Sequence, residues 1–387
     1  MKILITTDWY EPVVNGVVTS VKTLVRELKK AGHEVRILTL SRTCQSYRKD
    51  EVFYIGSVSV GKIYPQARLK LPVSGKYMKE LMKWKPDIIH SQCEFSTFFP
   101  ARKIAAELGI PIIHTYHTIY EDYTHYFSPG KKWGRGIAEI LTRRLSRQVC
   151  GIIVPSRKIQ NILEGYQVEC PLWVIPSGID ILQYKQGRTE EWREKIRARY
   201  SIAPDTKILL YVGRLAREKN VEELISYQKE ARKQNAVLML VGDGPFRKNL
   251  EDQVREEGLR DHVIFVGMVP PCDVWKYYQA GDLFVSASVS ETQGMTYGEA
   301  LALGLPLLCR KDECLQEVVE NGRNGWQYEN QKEFLKYLAD WSGKSSEEKR
   351  EIRRRAQKSA GQFSAERFYQ RVVQVYEKKT KETGGAA

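Results

Sequence analysis

The sequence predicts an α/β protein made of two doubly wound domains, each with a mostly parallel sheet covered by helices. Three observations support this prediction. The chain has 387 residues, which is more than one hydrophobic core usually organises, so two domains are expected. Short runs rich in Val, Ile and Leu alternate with amphipathic stretches of helical period, the pattern of parallel strands joined by helices. The pattern also occurs twice, once in each half of the chain.

The predicted strands are the short apolar runs. In the first half they are Lys2–Thr7, Glu34–Leu40, Asp87–Ser91, Ile112–Tyr116 and Gly151–Val154. In the second half they are Lys207–Val212, Val237–Val241, Val263–Val266, Leu283–Ser286 and Pro306–Cys309. Helices are expected between most of these strands. An apolar stripe near the end of the chain predicts a last helix from Phe363 to about Lys379.

Pro and Gly interrupt the alternation at Ile175-Pro176-Ser177-Gly178, between two complete sets of strands and helices. We therefore place one domain at residues 1–175 and the other at residues 176–362, followed by the last helix and a frayed tail at 363–387. Two such domains are expected to face each other across a crevice. Ligands of doubly wound sheets bind beyond the carboxyl ends of the strands, so the loops at those ends are the candidate binding loops.

Composition limits the class of protein. Hydrophobic residues make up 42% of the chain and charged residues 28%, as in an ordinary globular protein. The chain starts with a run typical of a strand, and no stretch reaches the roughly 18 apolar residues of a spanning helix, so a cytoplasmic protein is expected.

The seven cysteines are scattered without a Cys-x-x-Cys pair, which favours free thiols over a disulfide framework or a zinc site.

The net charge of +14 is unevenly distributed. Residues 1–175 contain 26 Lys and Arg against 15 Asp and Glu, an excess of 11, whereas the remainder of the chain has an excess of 3. Such asymmetry is typical of proteins with an acidic partner, which can be nucleic acid, anionic lipid or a phosphorylated substrate. A generally basic surface without a specific partner is the alternative.

Two glutamates follow the predicted strand Leu283–Ser286, in the run Glu291-Thr-Gln-Gly-Met-Thr-Tyr-Gly-Glu299. Gly294 indicates that only Glu299 is helical, so Glu291 is expected to point from a loop into the crevice. A carboxylate accepts hydrogen bonds from vicinal hydroxyls, so one glutamate suits a sugar ring and the other a ribose. The helix N-terminus between them offers N–H groups to a diphosphate. A capping acid and a solvated helix residue are the alternative interpretation.

Basic residues follow the strand Lys207–Val212. Gly213 at the strand end allows the backbone to approach a ligand. Arg214 and Lys219 can both reach a diphosphate in the same crevice and offset the charge that develops on a leaving nucleoside diphosphate. Ordinary surface cations near a helix start are the alternative.

Two further loops can offer backbone groups to a base or a phosphate. They are the turn Gly242-Asp243-Gly244-Pro245 and the first loop, which contains Asn15-Gly16.

As a set, these motifs resemble those of the family-4 retaining glycosyltransferases with the GT-B fold. The resemblance covers nearly the whole chain. It implies a nucleotide-sugar donor held mainly by the second domain, an acceptor held mainly by the first, and a last helix that crosses back to the first domain. The donor-binding residues that it implies are Gly16, Gly213, Arg214, Lys219, Asp243, Glu291, Gly294, Met295, Thr296 and Glu299.

The resemblance also implies individual roles. Arg214 and Lys219 would hold the diphosphate, Glu291 the hydroxyls of the donor sugar, and Glu299 the ribose. His117 matches the position at which such enzymes place a histidine beside the donor sugar. His117, Arg214, Lys219 and Glu291 are therefore the implied catalytic residues. Retention in this family is attributed to acceptor attack on the face that the diphosphate leaves. Since no Asp-x-Asp motif follows a strand, no cofactor and no essential metal ion are expected.

A narrower resemblance concerns the acceptor. The run His114–Phe127 resembles the corresponding segment of bacterial diacylglycerol glucosyltransferases, the monoglucosyldiacylglycerol synthases. The opening segment Gly16–Val21 agrees with that subgroup. The run is too polar for a pure core and too aromatic for an ordinary loop, although a structural aromatic cluster is an alternative. The candidate acceptor-binding residues are Tyr120, Glu121, Asp122, Tyr123 and His125.

Two basic stretches are candidates for contact with an anionic membrane. Residues 131–147 predict a basic amphipathic helix with Trp133 near its start, and Lys62–Lys70 is the second candidate. The alternative for residues 131–147 is a core-packed helix with a basic outer face.

Together, these resemblances imply a retaining hexosyltransferase that moves a hexose, with glucose favoured, from a UDP-sugar to 1,2-diacylglycerol. Such an enzyme is expected to work as a peripheral protein on the inner face of the cell membrane, without nucleic acid. Galactose is an alternative sugar, and another nucleotide is an alternative to UDP. Phosphatidylinositol, a polyprenyl-linked glycan and a soluble sugar are alternative acceptors. A non-catalytic basic binding protein is the less favoured alternative.

Overall fold

The computed structural model describes residues 1–60, 68–72, 75–119, 131–181 and 190–384. The chain divides into two compact units, Met1–Gly178 together with Ala365–Ala387, and Ile179–Ser364. Each unit has its own mostly parallel sheet covered by helices. The predicted α/β class is therefore confirmed. None of the helices in the described ranges is both long and apolar enough to span a bilayer.

The first unit is organised around an eight-stranded sheet in the order β10-β9-β8-β7-β1-β2-β4-β3. Its strands are β1 (Lys2–Thr6), β2 (Glu34–Leu40), β3 (Tyr47–Lys49), β4 (Val52–Ile55), β7 (Ile88–Ser91), β8 (Ile112–Thr115), β9 (Gly151–Val154) and β10 (Leu172–Val174). Neighbouring strands are parallel except for the antiparallel pair of β3 and β4. A separate antiparallel pair contains β5 (Ser57–Ser59) and β6 (Arg68–Lys70).

Helices cover both faces of the first sheet. They are α1 (Gly16–Lys30), α2 (Gly75–Trp84), α3 (Phe98–Leu108), α4 (Lys131–Ser146), α5 (Arg157–Gly165) and the C-terminal helix α13 (Ala365–Gly384). Apolar residues of α1 and α13 pack on one face of the sheet. Apolar residues of α2, α3, α4 and α5 pack on the other. Since successive side chains of a strand point to opposite faces, the apolar runs of the central strands supply both cores.

The C-terminal helix belongs to the first unit, as the resemblance implied. Val372 and Tyr376 are fully buried, and the Tyr376 hydroxyl hydrogen-bonds to the ring of His90 on β7. The predicted start at Phe363 was wrong, because residues Ala360–Phe363 form a short 3₁₀ helix. The Phe363 side chain packs in a core of the second unit.

The second unit has a six-stranded, all-parallel sheet in the order β13-β12-β11-β14-β15-β16. Its strands are β11 (Lys207–Val212), β12 (Ala236–Val241), β13 (Val263–Gly267), β14 (Leu283–Ser286), β15 (Leu307–Arg310) and β16 (Gly325–Tyr328). Its helices are α6 (Glu190–Arg199), α7 (Val221–Ala231), α8 (Arg247–Glu256), α9 (Val274–Ala280), α10 (Met295–Ala302), α11 (Gln331–Gly343) and α12 (Ser346–Ser359). Separate apolar clusters cover its two faces.

Each predicted strand is present, and its ends agree with the prediction to within one residue. The strands that the sequence did not predict are short. They are β3, β4, β5, β6, β10 and β16. Four-residue strands such as β9 and β14 were predicted, so short length alone does not explain the difference. β3, β5, β6 and β16 lack the runs of Val, Ile and Leu that mark the predicted strands, so pairing with a neighbouring strand decides their conformation.

Candidate functional site

The loops after β11 and β14 leave the same edge of the second sheet in opposite directions. β11 and β14 are neighbours, but the chain continues from β11 to β12 on one side and from β14 to β15 on the other. Such a reversal of strand order opens a crevice at the carboxyl ends of the two strands. Arg214 and Lys219 come from the first of these loops and Glu291 from the second.

Lys219 and Glu291 form an ion pair across this crevice. The Lys219 Nζ lies 2.6 Å from the Glu291 Oε1. The two side chains are only 17% and 20% exposed, so water screens their attraction less than in a surface pair. The cation of one predicted motif therefore contacts the acid of the other.

Arg214 forms an ion pair with Glu218, four residues further along the chain. The Glu218 side chain is 4% exposed and that of Arg214 is 39% exposed, so the guanidinium covers the carboxylate. The Tyr211 hydroxyl donates to the backbone oxygen of Arg214 at 3.0 Å. The Ser290 hydroxyl donates to the backbone oxygen of Glu218, also at 3.0 Å, and thereby ties the two loops together.

Glu218 is not among the residues predicted from the sequence. Its only sequence signal is a spacing of four residues from Arg214, which is common on helix surfaces and has no functional meaning by itself. The burial of its carboxylate appears only in the folded chain.

Two glycine-containing loops of the second unit lie with their backbones in contact. Gly242 has a φ of +131°, and a Cβ there would lie 2.0 Å from the carbonyl oxygen of Gly213. A Cβ on Gly244 would lie 2.2 Å from the carbonyl oxygen of Leu215. These two glycines are thus required for the packing of one loop on the other, whatever ligand the loops bind.

Asp243 is held within its own turn. Its Oδ1 accepts a hydrogen bond from the backbone N–H of Gly244 at 2.7 Å. Its Oδ2 lies 2.9 Å from Nη1 of Arg247, in an ion pair that the sequence interpretation did not include. The carboxylate is therefore oriented by two donors.

Gly294 separates the two glutamates as the sequence predicted. It adopts a left-handed conformation with φ +70°, and α10 begins at the next residue, so Glu291 lies in the loop and Glu299 on the helix. Met295 and Thr296 are in the first turn of α10, where backbone N–H groups have no carbonyl partner within the helix. The Glu299 Oε2 accepts a hydrogen bond from the Tyr278 hydroxyl at 2.8 Å, which contradicts the alternative of a merely solvated residue.

Two buried tyrosines lie close to Glu291. Burial raises the pKa of Tyr211, and the nearby carboxylates of Glu291 and Glu218 add to this effect. Burial also raises the pKa of Tyr297 well above its usual value, with a further contribution from Glu291. Both phenols therefore remain neutral donors, and the Tyr297 hydroxyl hydrogen-bonds to Oγ of Ser286 at 3.2 Å.

In the first unit, His117 follows β8. Its Nε2 lies 2.7 Å from Oε1 of Gln92. Since an amide oxygen only accepts hydrogen bonds, Nε2 carries the hydrogen and Nδ1 is left as an acceptor. Burial lowers the pKa of His117 to about 4, with Glu94 opposing and His114 adding to the effect. The imidazole is therefore neutral near pH 7.

Gly16 is the first residue of α1. The preceding residue, Asn15, caps the helix, because its side-chain oxygen accepts the N–H of Val18 at 2.9 Å. Gly16 therefore presents its backbone at a helix N-terminus, a position that favours anions.

Asp8 anchors the loop between β1 and Gly16, a role that the sequence interpretation did not assign. Its Oδ1 accepts the backbone N–H and the hydroxyl of Thr97 at 2.7 and 2.6 Å. Its Oδ2 accepts the N–H of Ser96 at 2.9 Å. Burial raises the pKa of Asp8, and the hydrogen bonds from Thr97 and Ser96 oppose this effect.

Helix α4 is the basic amphipathic helix predicted for residues 131–147. Its Ile137, Ile140 and Leu141 side chains are 52%, 66% and 55% exposed, and Arg143 and Arg144 lie in its last turn. Large apolar side chains beside arginines on an exposed helix face are typical of a membrane-surface helix. The predicted acceptor residues Tyr120, Glu121, Asp122, Tyr123 and His125 lie outside the described residues, as does most of Lys62–Lys70.

Two known protein families match the chain, one in each half. The family described as Glycosyltransferase Family 4 matches residues 14–182, and the family described as Glycosyl transferases group 1 matches residues 192–359. An α-monoglucosyldiacylglycerol synthase of Streptococcus pneumoniae is 36% identical over 332 residues, which cover 85% of this chain and 75% of the relative. A protein of the same name from Acholeplasma laidlawii is 33% identical over 348 residues, 87% of each chain.

Solved structures show the same fold. HepE from Anabaena in complex with UDP and glucose has a TM-score of 0.76 and 18% identity, covering 98% of this chain and 100% of that one. Sucrose-phosphate synthase from Thermosynechococcus elongatus has a TM-score of 0.74 and 20% identity, covering 97% and 98%. The predicted GT-B fold is thereby confirmed.

Proposed function

This chain belongs to glycosyltransferase family 4, and on this premise we propose that it transfers a hexose, with glucose favoured, from a UDP-sugar to the free hydroxyl of 1,2-diacylglycerol. The product would be an α-monoglycosyl-diacylglycerol, formed with retention at the anomeric carbon. The observation that carries the proposal is the contact between Lys219 and Glu291 at the strand-order reversal. The names of the relatives from S. pneumoniae and A. laidlawii support the acceptor.

The donor site is proposed to use both loops of the crevice. The diphosphate binds to Arg214 and Lys219, while the sugar hydroxyls donate to Glu291 and the ribose hydroxyls to Glu299. A lysine ammonium has three N–H donors, so Lys219 can bind a phosphate oxygen and still hold Glu291. The choice of UDP is supported by the structural likeness to Anabaena HepE, which was solved with UDP and glucose.

In the proposed reaction, the acceptor oxygen attacks C1 of the sugar on the face that the diphosphate leaves. The bond between C1 and the phosphate oxygen breaks, and the acceptor proton passes to that phosphate oxygen. Negative charge develops on the leaving group, and Arg214 and Lys219 stabilise it. One well-placed donor of this kind is typically worth about 3 kcal/mol of the barrier. We expect this charge compensation to make a metal ion dispensable.

His117 is proposed to orient the donor sugar. Its Nδ1 is an acceptor because Nε2 donates to Gln92, and its low pKa keeps it in this neutral form. A sugar hydroxyl can therefore donate to Nδ1 without competition from a ring proton. Gly16 would offer its backbone to the phosphates.

We further propose that the first unit docks on an anionic membrane through α4. The exposed Ile137, Ile140 and Leu141 would enter the interface, and the exposed Arg144 would contact lipid headgroups. Arg143 is held by Glu139 and by the backbone oxygen of Tyr166. Each cation near such a surface contributes about 1 kcal/mol. Tyr120, Glu121, Asp122, Tyr123 and His125 are proposed to receive the diacylglycerol, on the strength of their sequence alone.

The proposal is tested by incubation with radiolabelled UDP-glucose or UDP-galactose over vesicles that contain diacylglycerol, phosphatidylinositol or neither, followed by chromatography of the lipid phase. We expect one labelled glycolipid, formed from UDP-glucose and only with diacylglycerol. Label in the phosphatidylinositol vesicles alone would contradict the acceptor. Unchanged transfer by Glu291→Ala would contradict the donor site.

A further inference from the structure

Tyr278 is a buried residue whose hydroxyl reaches the second glutamate of the site. It lies on α9, the helix that leads into β14, and its side chain is 1% exposed. Its ring stacks on Phe284 of β14, with the ring centroids 6.0 Å apart and the ring planes at 25°. Phe284 in turn packs edge-on against Tyr297 of α10. Close packing of aromatic rings holds the phenol in one orientation, and with it the direction of its hydroxyl.

The Tyr278 hydroxyl donates a hydrogen bond to Oε2 of Glu299 at 2.8 Å. An ionised carboxylate only accepts hydrogen bonds, and the direction of its lone pairs decides where a ligand hydroxyl can approach. A carboxylate held by a rigid donor keeps that direction before the ligand arrives. Pre-organisation of this kind strengthens binding, because less side-chain freedom is lost when the complex forms.

We infer that Tyr278 is a positioning residue for nucleotide recognition. It holds the Glu299 carboxylate in the orientation that accepts hydrogen bonds from the ribose hydroxyls of the donor. The inference rests on the role of Glu299 in the proposed function and adds the residue that orients it. Tyr278 acts through Glu299, so its loss weakens the preference for a ribose over a deoxyribose while the diphosphate contacts remain.

The neighbouring residue on the same helix provides a matched control. Tyr277 is 6% exposed, and its hydroxyl lies 3.5 Å from the hydroxyl of Tyr200. Tyr277→Phe and Tyr278→Phe each remove one buried hydroxyl and keep the ring. A general loss of stability therefore affects both variants, whereas a loss of ribose recognition affects only Tyr278→Phe.

The experiment measures the dissociation constants of UDP, 2′-deoxy-UDP and 3′-deoxy-UDP by titration calorimetry on the full chain. The proteins compared are the wild type, Tyr277→Phe, Tyr278→Phe and Glu299→Gln. We expect the wild type and Tyr277→Phe to prefer UDP over a deoxy analogue by about tenfold or more, the effect of a hydrogen bond to a charged group. Tyr278→Phe should lower this ratio by roughly threefold or more, toward that of Glu299→Gln.

The outcomes separate this inference from the proposed function. An unchanged ratio in Tyr278→Phe, together with a lowered ratio in Glu299→Gln, overturns the role of Tyr278 and leaves the proposed function intact. An unchanged ratio in both variants removes the ribose assignment of Glu299, and the inference with it. A wild type that binds none of the three nucleotides contradicts the proposed donor itself.

Discussion

Lys219 and Glu291 are 72 residues apart in the sequence, and their side chains meet at 2.6 Å, between Nζ and Oε1. One follows β11 and the other follows β14, so the contact exists only because these strands are neighbours in the sheet. It links the cation proposed for the diphosphate to the carboxylate proposed for the sugar.

The first prediction concerns this pair. We expect Glu291→Gln and Lys219→Ala each to lower kcat/KM for the UDP-sugar by about 100-fold. Lys219→Ala removes a cation beside the leaving group, and Glu291→Gln removes the carboxylate that accepts from the sugar hydroxyls. The double variant should lose less than the product of the two single losses, since the residues interact directly. Arg217→Ala is the control, because Arg217 is an exposed cation two residues from Lys219. A loss of similar size in Arg217→Ala would show that net charge, and not this pair, governs transfer.

The second prediction separates two roles of Arg214. Arg214→Ala removes a cation that covers the buried Glu218 carboxylate, and we expect it to lower the free energy of unfolding by about 1–3 kcal/mol. Arg214→Ala/Glu218→Ala should recover much of this loss, because no buried charge remains. Transfer should stay about 100-fold below wild type in both variants. Thermal melting and initial rates measure the two effects, and recovery of activity in the double variant would argue against diphosphate binding by Arg214.

The third prediction is a dependence of stability on pH. Burial lowers the pKa of His117 from 6.5 to about 4. Between these pH values the unfolded chain binds a proton that the folded chain does not, so the contribution of the neutral imidazole, about 3 kcal/mol, is lost as the pH falls from 6.5 to 4. Above pH 6.5 this contribution is fully present.

We expect His117→Asn to remove this part of the pH dependence. Urea-unfolding curves of the wild type and the variant, recorded from pH 7.5 to pH 4, provide the measurement, and the difference between the two proteins should shrink toward low pH. His90, whose pKa is lowered mainly by burial and further by His114 and His117, is retained in both proteins, so the burial part of its effect cancels. A difference that stays constant with pH would contradict the prediction.

The fourth prediction concerns the membrane face. Arg144 is exposed in the last turn of α4, and Arg144→Glu changes the local charge by two units. We expect about 2 kcal/mol weaker binding to anionic vesicles, or about 30-fold, with stability unchanged. Lys358→Glu on α12 is the matched charge reversal at an exposed site of the second unit. Vesicle sedimentation compares the two, and equal losses would point to net charge instead of α4.

The sequence was sufficient to predict the strands that form the centres of both sheets. Parallel strands covered on both faces, such as β11 and β12, are short apolar runs that differ clearly from amphipathic helices. The position of Gly294 in the sequence was likewise enough to predict that Glu291 lies in a loop and Glu299 on the helix that follows. Short strands such as β3 and β16 were missed because they depend on pairing with a neighbour.

The partners of the site residues could not be predicted in this way. Glu218 below Arg214, Gln92 beside His117 and Tyr278 behind Glu299 have no motif of their own. Their contacts depend on burial and on the packing of the folded chain, which local sequence does not specify. The sequence predicts that the turn at Gly242 offers backbone groups to a ligand, and this stays a prediction. The fold adds a requirement that the sequence does not show, the close packing of Gly242 against Gly213.

The sequence alone therefore determined the fold class, the main strands, the family resemblance and the residue types of the proposed donor site, because these depend on local periodicity and on motifs next to strand ends. Tertiary structure alone decided which charges meet and which donors orient them. Strand order is a long-range property: it places the loop after β11 against the loop after β14, and so brings Lys219 to Glu291.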